Sequence, residues 1–258
     1  MKQTVITFKE FRPEFRDLAG GKGSMLARMV QEGYPVPDGF IIFPAAFQNE
    51  RLTEAAVEEI RACLTKMRKR EVSSRFAVRS SALSEDSARA SYAGEFETVL
   101  GVKTDEEILD AVHTVFQKRV KAYSLAQGMD ESYQLSVVVQ LMVQPEISGV
   151  LFTADPITGS RQNMAGNYVH GLGEQLVSGE ANPYEFILIR PSGSYRGPAE
   201  FKKYSRKLYR YAASLERKQG LPLDLEWAVA DKKLVLLQAR PITTLFPGTW
   251  TSMRSMTH

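Results

Sequence analysis

Apolar residues recur along this chain with two periods, and the periods mark out its elements. The opening TVITFKEF alternates, which predicts a strand. Met25, Leu26, Met29 and Val30 then recur at helical spacing until Gly33, and YPVPDGF reads as a turn before the short apolar strand GFIIF. A second helix spans Thr53 to Arg70, with Val57, Ile60, Leu64 and Met67 on one face. RFAVRSS is a strand running into a polar loop at 80–95, and FETVLGV is a strand again. Thr104 and Glu107 form a T-x-x-E capping box ahead of Ile108, Leu109, Val112, Val115, Phe116 and Val120, a helix that stops at Gly128. LSVVVQLMV and GVLFTAD, separated by QPEIS, have the arrangement of a hairpin, and EFILIRP is another strand. Phe201, Tyr204, Leu208, Tyr211 and Leu215 give a last amphipathic helix before Gly220 and Pro222. Its other face carries Lys202, Lys203, Arg206, Lys207, Arg210, Arg217 and Lys218, which reads either as a solvated face or as a docking face for an acidic partner.

The final strand pair is the most specific. LDLEWAVA and LVLLQARP flank Asp231-Lys232-Lys233. With those three residues as the loop, Glu226 lies opposite Gln238 and Asp224 opposite Arg240, so all four polar groups share one sheet face. Leu225, Trp227, Val229, Val235, Leu237 and Ala239 then share the other. A two-residue turn moves the register by one and loses this pairing.

Composition and charge narrow the class. The 258 residues suffice for one large domain or two lobes. Thirty-three basic against thirty acidic residues leave a formal charge of only +3, which argues against a broad nucleic-acid surface. Cys63 is the only cysteine, so neither an internal disulfide nor a cysteine metal cluster is expected, and a reducing, cytoplasmic setting follows. MKQTVITFKEF has no continuous apolar stretch of the secretory kind, and no run of about 18 apolar residues predicts a membrane span.

Candidate chemistry gathers at several points. Carboxylate and amide oxygens on one sheet face (Asp224, Glu226, Gln238) suit Mg²⁺, which shares its shell with substrate phosphates. Arg240 beside them is placed to hold a phosphate oxygen, and the competing reading is a plain Asp224–Arg240 surface salt bridge. Arg79, followed by hydroxyls, then Gly94 and Thr98, fits an anion site or an ordinary polar loop. Gly20-Gly21-Lys22-Gly23-Ser24 places a lysine among glycines without the P-loop spacing, and HGLGEQLVSGEANP lacks the Rossmann spacing. The glycines are expected to turn the backbone into a helix after Ser24. Of the three histidines, His113 sits in a helical pattern, His258 is terminal, and His170 precedes the second glycine loop.

Five stretches in order, GGKGSMLARMVQEGYPVPDGFII, FAVRSSALSEDSARASYAGEFETVLGV, GVLFTADPITG, GLGEQLVSGEANP and LEWAVADKKLVLLQARPIT, resemble the N-terminal ATP-binding domain of phosphoenolpyruvate synthase, pyruvate phosphate dikinase and rifampin phosphotransferase. The resemblance covers about residues 15–245. It implies an α+β, ATP-grasp fold: two lobes clamping a nucleotide between mainly antiparallel sheets. The lobes are expected at 1–134 and 135–245, with 246–258 a tail or linker. By position it implies that Lys22, Arg79 and Arg240 contact the phosphates and that Gly94 and Thr98 belong to a loop covering them. Gln140, Leu141, Met142 and Val143 line the adenine pocket, and Glu226 and Gln238, with Asp224 as in some members, hold Mg²⁺.

The implied activity splits ATP to AMP and phosphate and passes a phosphoryl group to a histidine on a swivelling domain. Such a domain, and one for the acceptor, are absent after QARPIT, so the expected partners are separate phosphocarrier and acceptor domains or chains, or a small acceptor. The spacings from Lys22 to Arg79 and from Gln140 to Glu226 are short for the family. Two alternatives stay open: a nucleotide-binding regulatory module without turnover, and an ATP-grasp ligase releasing ADP.

Overall fold

The structure is a computed structural model and describes residues 3–69, 74–82, 98–127, 135–155, 158–172 and 183–242. Two antiparallel sheets organise it. The first takes β1 (Val5–Thr7), β2 (Gly39–Ile42), β5 (Phe76–Ala82), β6 (Thr98–Val102) and β7 (Leu135–Leu141), in the order β1-β2-β7-β5-β6. The second takes β8 (Ile147–Phe152), β9 (Asn163–His170), β10 (Tyr184–Ile189), β11 (Ser194–Arg196), β12 (Leu223–Ala230) and β13 (Lys233–Pro241), in the order β11-β10-β9-β8-β12-β13. β3 (Phe47–Gln48) and β4 (Arg51–Leu52) form a small separate pair.

β7 and β8 are therefore not a hairpin. β7 pairs with β2 and β5, whereas β8 pairs with β9 and β12. The five residues between them carry the chain from one sheet to the other. The division between sheets falls there, so the strand expected to begin the second lobe at 135 is central to the first sheet. A run as apolar as LSVVVQL suits a strand covered on both faces. Helix α1 (Arg16–Gln31) covers one face through Ala19, Leu26, Ala27, Ile41 and Val138. Helices α2 (Glu54–Arg68) and α3 (Asp105–Gln127) cover the other through Ile60, Leu64, Ile108, Val112, Val137 and Val139. Cys63 is half-buried in that layer, and burial pushes its thiol up to about 11.

α2 begins where expected: the Thr53 hydroxyl accepts from the Ala56 N–H. α3 opens on the capping box, with Glu107 accepting from the Thr104 N–H and the Thr104 hydroxyl accepting from the Glu107 N–H. Helix α4 (Lys202–Gln219) packs Leu208, Ala212 and Leu215 against the second sheet, and Gly220 closes it at φ 71°. No helix among the described residues is long and apolar enough to cross a membrane.

α1 starts earlier than the expected position after Ser24. It runs through the glycines, and only Gly20, at φ 69° and ψ 172°, leaves helical geometry and kinks it. The Ser81 hydroxyl holds the kink, donating to the Ala19 carbonyl at 2.7 Å and accepting from the Gly23 N–H at 2.9 Å. A side chain at Gly20 meets Ser81 atoms at 2.6 Å.

β12 and β13 show a register different from the expected one. Asp231 and Lys232, at φ 49° and 58°, form a two-residue turn, with Ala230 opposite Lys233. A bulge between Glu226 and Trp227 then adds Leu237 to β13 and restores the pairs Glu226–Gln238 and Asp224–Arg240. Asp-Lys lacks the glycine that signals such a turn, and the bulge has no sequence mark. Between turn and bulge the faces invert: Leu234 and Leu236 enter the core, while Val235 and Leu237, expected there, are half-buried outside it.

Gly20→Ala is expected to cost about 2–4 kcal/mol, since it adds both left-handed strain and overlap with Ser81. Gly33→Ala, also at positive φ but with open space around it, is expected to cost about 1 kcal/mol. Urea denaturation of the two variants checks the difference.

Candidate active site

The α1-side face of the first sheet is only half covered by α1. Its open half, at β5, β6 and β7, faces the polar face of the second sheet across a cavity of about 520 Å³. Ala77, Arg79, Thr98, Leu100 and Gln140 come from the first sheet, and Val150, Glu226 and Leu237 from the second. The crossing segment Leu141, Met142 and Val143 closes one end. The Leu141 N–H donates to the Asp38 carbonyl and the Met142 N–H to the Arg75 carbonyl. The backbone of Val143 makes no hydrogen bond among the described residues. The walls are largely apolar, with Arg79, Thr98, Gln140, Ser148 and Glu226 as the polar exceptions among the described residues.

Arg79 lies between Thr98 and Val138 in the ladder and reaches across to the other sheet. Its Nη1 donates to the Gln238 amide oxygen at 3.4 Å and lies 3.9 Å from the Glu226 carboxylate. Its Nε is buried with no hydrogen-bond partner among the described residues. Ser81, read from sequence as part of an anion loop, is instead turned away to hold α1.

A second chamber of about 470 Å³ lies between α1 and the end of β13. Gly20, Gly21, Lys22, Gln238 and Arg240 line it, together with Arg16, Arg28, Gln31 and Gln219. Gln238 lines this chamber, and its ladder partner Glu226 lines the first. The Lys22 ammonium donates to the Ser80 carbonyl at 3.1 Å, which ties α1 to the strand that bears Arg79. Among the described residues, four cations and no carboxylate line this chamber.

Asp224 lines neither cavity. Its side chain is 9% exposed and accepts at 2.8 Å from Arg240, whose side chain is 46% exposed. Burial raises the Asp224 carboxyl above its usual range, against the pull of Arg240. Its Oδ1 has no partner among the described residues. In this arrangement Asp224 is the clamp of Arg240. Glu226 and Gln238 remain as two cross-strand oxygen donors, one lining each chamber, and that set fits Mg²⁺ completed by phosphate oxygens and water. No group of three or more His, Cys, Asp or Glu capable of holding a metal forms among the described residues.

Lys22, Arg79, Thr98, Gln140, Leu141, Met142, Val143, Glu226, Gln238 and Arg240 thus converge on the two chambers. Gly94, the glycine loop at 173–182 and the tail 246–258 lie outside the described residues. His170 is at neither chamber: its Nε2 lies 3.3 Å from Glu200 and its ring packs edge-on against Tyr184. Sequence reasoning did not single out Arg16, Arg28, Gln31 and Gln219, which are ordinary surface residue types on amphipathic helices.

Comparison with known proteins fits this geometry. The model of the pyruvate phosphate dikinase AMP/ATP-binding domain matches residues 44–202 and 200–256, and the chain belongs to that family. Its two antiparallel sheets and packed helices give the α+β class expected from the sequence. An uncharacterized phosphotransferase of Bacillus subtilis is 32% identical, over 90% of this chain and 34% of its own length. A rifampicin phosphotransferase of Streptomyces is 31% identical, over 88% and 34%. A probable phosphoenolpyruvate synthase of Pyrococcus abyssi is 28% identical, over 92% and 43%. The chain thus spans well under half the length of these relatives. Among solved structures, the D-alanine-D-alanine ligase of Coxiella burnetii aligns with a TM-score of 0.42 and 14% identity, over 83% of this chain and 45% of its own.

The Asp224–Arg240 pair is expected to respond unequally to truncation. Arg240→Ala leaves a desolvated carboxylate without a partner and is expected to cost about 3–5 kcal/mol. Asp224→Ala leaves a guanidinium that water already reaches, at a cost of about 1–2 kcal/mol. Equal losses in urea denaturation at neutral pH would contradict the clamp.

Proposed function

We propose that the chain is the ATP-binding part of a phosphotransferase of the phosphoenolpyruvate synthase and pyruvate phosphate dikinase type. The observation that carries this reading is the pair of chambers, one apolar and one cationic, lined respectively by Glu226 and Gln238 of a single cross-strand pair. The apolar chamber takes the nucleoside. Its end at Val143 offers an unpaired backbone N–H and carbonyl to the edge of the base, as Leu100, Met142 and Leu237 enclose the ring. The phosphates then extend past Gln238, where Arg79, Lys22 and Arg240 neutralise them.

These cations are fixed before the nucleotide arrives: Lys22 by the Ser80 carbonyl, Arg240 by Asp224, and Arg79 by the sheet. Such preorganisation stabilises charge that develops during transfer without rearrangement at that moment. Glu226 and Gln238 would hold Mg²⁺, which when bound neutralises phosphate oxygens and aligns the transferred group. The proposed reaction splits ATP to AMP and phosphate, with a phosphoryl group passing to a histidine on a separate domain or chain, or to a small acceptor. The lengths of the relatives support further domains or partners.

Trp227 lines the apolar chamber, and the chain's other tryptophan is Trp250. In a Trp250→Phe background, adding Mg·ATP is therefore expected to change the emission of Trp227. Lys22→Ala and Glu226→Ala are each expected to weaken binding about tenfold or more, since each removes a charged contact of about 1.5–3 kcal/mol. Unchanged affinity in both variants would sink the site assignment. Chromatography of the products with candidate acceptors is expected to show AMP and phosphate, and ADP as sole product would favour the ligase alternative.

A further inference from the structure

The second chamber reaches well beyond the phosphate-contacting residues. Arg28 and Gln31 stand six and nine residues after Lys22 on α1, about 9 and 14 Å along the helix axis. Phosphates gathered at Lys22 and Arg240 leave that far end unfilled, and at about 470 Å³ the chamber is within the usual range for a small-molecule site of about 300–1,000 Å³.

The lining of the far end is specific in character. Arg28 Nε donates to Glu32 at 3.1 Å and its Nη1 to the Gln219 amide oxygen at 3.2 Å. Those bonds hold the guanidinium in place and leave Nη2 uncommitted among the described residues. Glu32 is shared with Lys218, at 3.0 Å, so the local balance stays positive. Gln31 is anchored through its amide nitrogen on the Phe11 carbonyl, which leaves its amide oxygen to accept a hydroxyl. Arg16, whose backbone carbonyl accepts from the Ser24 hydroxyl one turn before Arg28, adds a second guanidinium to the chamber lining, while Phe11 and Met25 add apolar surface.

We infer that this far end is a second ligand site, for a small organic anion with an apolar body, bound at the same time as the nucleotide and next to its phosphates. Arg28 and Arg16 recognise the carboxylate or phosphate group, Gln31 takes a hydroxyl, and Phe11 and Met25 cover the body. The inference rests on the proposed function, since the nucleotide is what occupies the first chamber. It bears on the acceptor, because a molecule held there lies beside the phosphates without needing a carrier domain.

Titration calorimetry on the whole chain tests this, with and without a saturating non-hydrolysable ATP analogue. The probes are 4-hydroxyphenylacetate as the carboxylate, phenyl phosphate as the phosphomonoester, and methyl 4-hydroxyphenylacetate as the uncharged control. At least one anion is expected to bind in the presence of the analogue, and the ester is not. Arg28→Gln is expected to weaken the anion about tenfold or more while leaving analogue affinity within about twofold. Met25→Trp, which fills the chamber from another side, is expected to block the anion as well, and melting curves of both variants show that they remain folded. The inference is overturned if no anion binds while the analogue does, if the anions compete with the analogue, if the ester binds equally, or if Arg28→Gln binds the anion as well as the parent chain. Failure of the analogue itself to bind would instead refute the reading on which the inference rests.

Discussion

Two strands joined by a tight turn pair in one register, and one added residue in either strand sends every later side chain to the opposite face. The site depends on that constraint. Between the turn at Asp231-Lys232 and the bulge at Leu237, Leu234 and Leu236 face the core that α4 covers. Without the extra residue, the same alternation would turn Gln238 and Arg240 away from Glu226 and Asp224. With it, Gln238 in the second chamber stands beside Glu226 in the first, and Arg240 meets Asp224 at 2.8 Å. A hydrophobic demand at one end of the hairpin and a polar demand at the other are reconciled by a single residue.

On the opposite wall the corresponding device is Gly20. Its positive φ lets α1 bend against β5, where Ser81 takes up both the Ala19 carbonyl and the Gly23 N–H. Both groups are buried, and leaving either unpaired costs about 1–3 kcal/mol. The bend therefore sets where Lys22 stands relative to Arg79 two residues along the same strand. Gly20 acts by close approach to the Ser81 backbone, at 2.6 Å from an added side chain, whereas Gly23 is less tight, with the Ile41 side chain at 3.2 Å. The glycines of GGKG form helix and not a phosphate-wrapping loop.

Much of the fold was legible. Helical periods located α1 to α4, and the start at Thr53, the capping box and a C-terminal glycine placed the ends of α2, α3 and α4 within a few residues, whereas α1 begins at Arg16, nine residues before the expected Met25. The pairs Asp224–Arg240 and Glu226–Gln238 were also legible, although the argument for them assumed a three-residue loop that the chain does not have. Three features were hidden for physical reasons. Which sheet a strand joins is a tertiary choice, so LSVVVQL and ISGVLF looked like neighbours in a hairpin when they are centres of different sheets. NMAGNYVH forms β9 despite Gly and Asn, because Gly166 is where the Phe186 ring packs and a side chain would clash at 2.4 Å. The second chamber is bounded by residues from α1, β13 and the end of α4, and no local pattern links those three segments.

Two of the site's cations have partners within the protein. Arg240 is held by Asp224, and Arg79 lies against Gln238 and near Glu226, the same two oxygen donors proposed for the metal. A cation arriving at Glu226 and Gln238 competes with Arg79 for their oxygens, and a phosphate arriving at Arg79 competes with those oxygens for the guanidinium. The arrival of the cation alone is unfavourable, because it would leave a largely desolvated guanidinium without its partners, the Arg79 side chain being 15% exposed; Glu226, at 37%, stays in reach of water. Taken together they exchange one contact between protein groups for two with the ligand pair. On the proposed function, this coupling makes metal and nucleotide bind as a unit, with the weak 3.9 Å Arg79–Glu226 contact as the latch that their joint arrival releases.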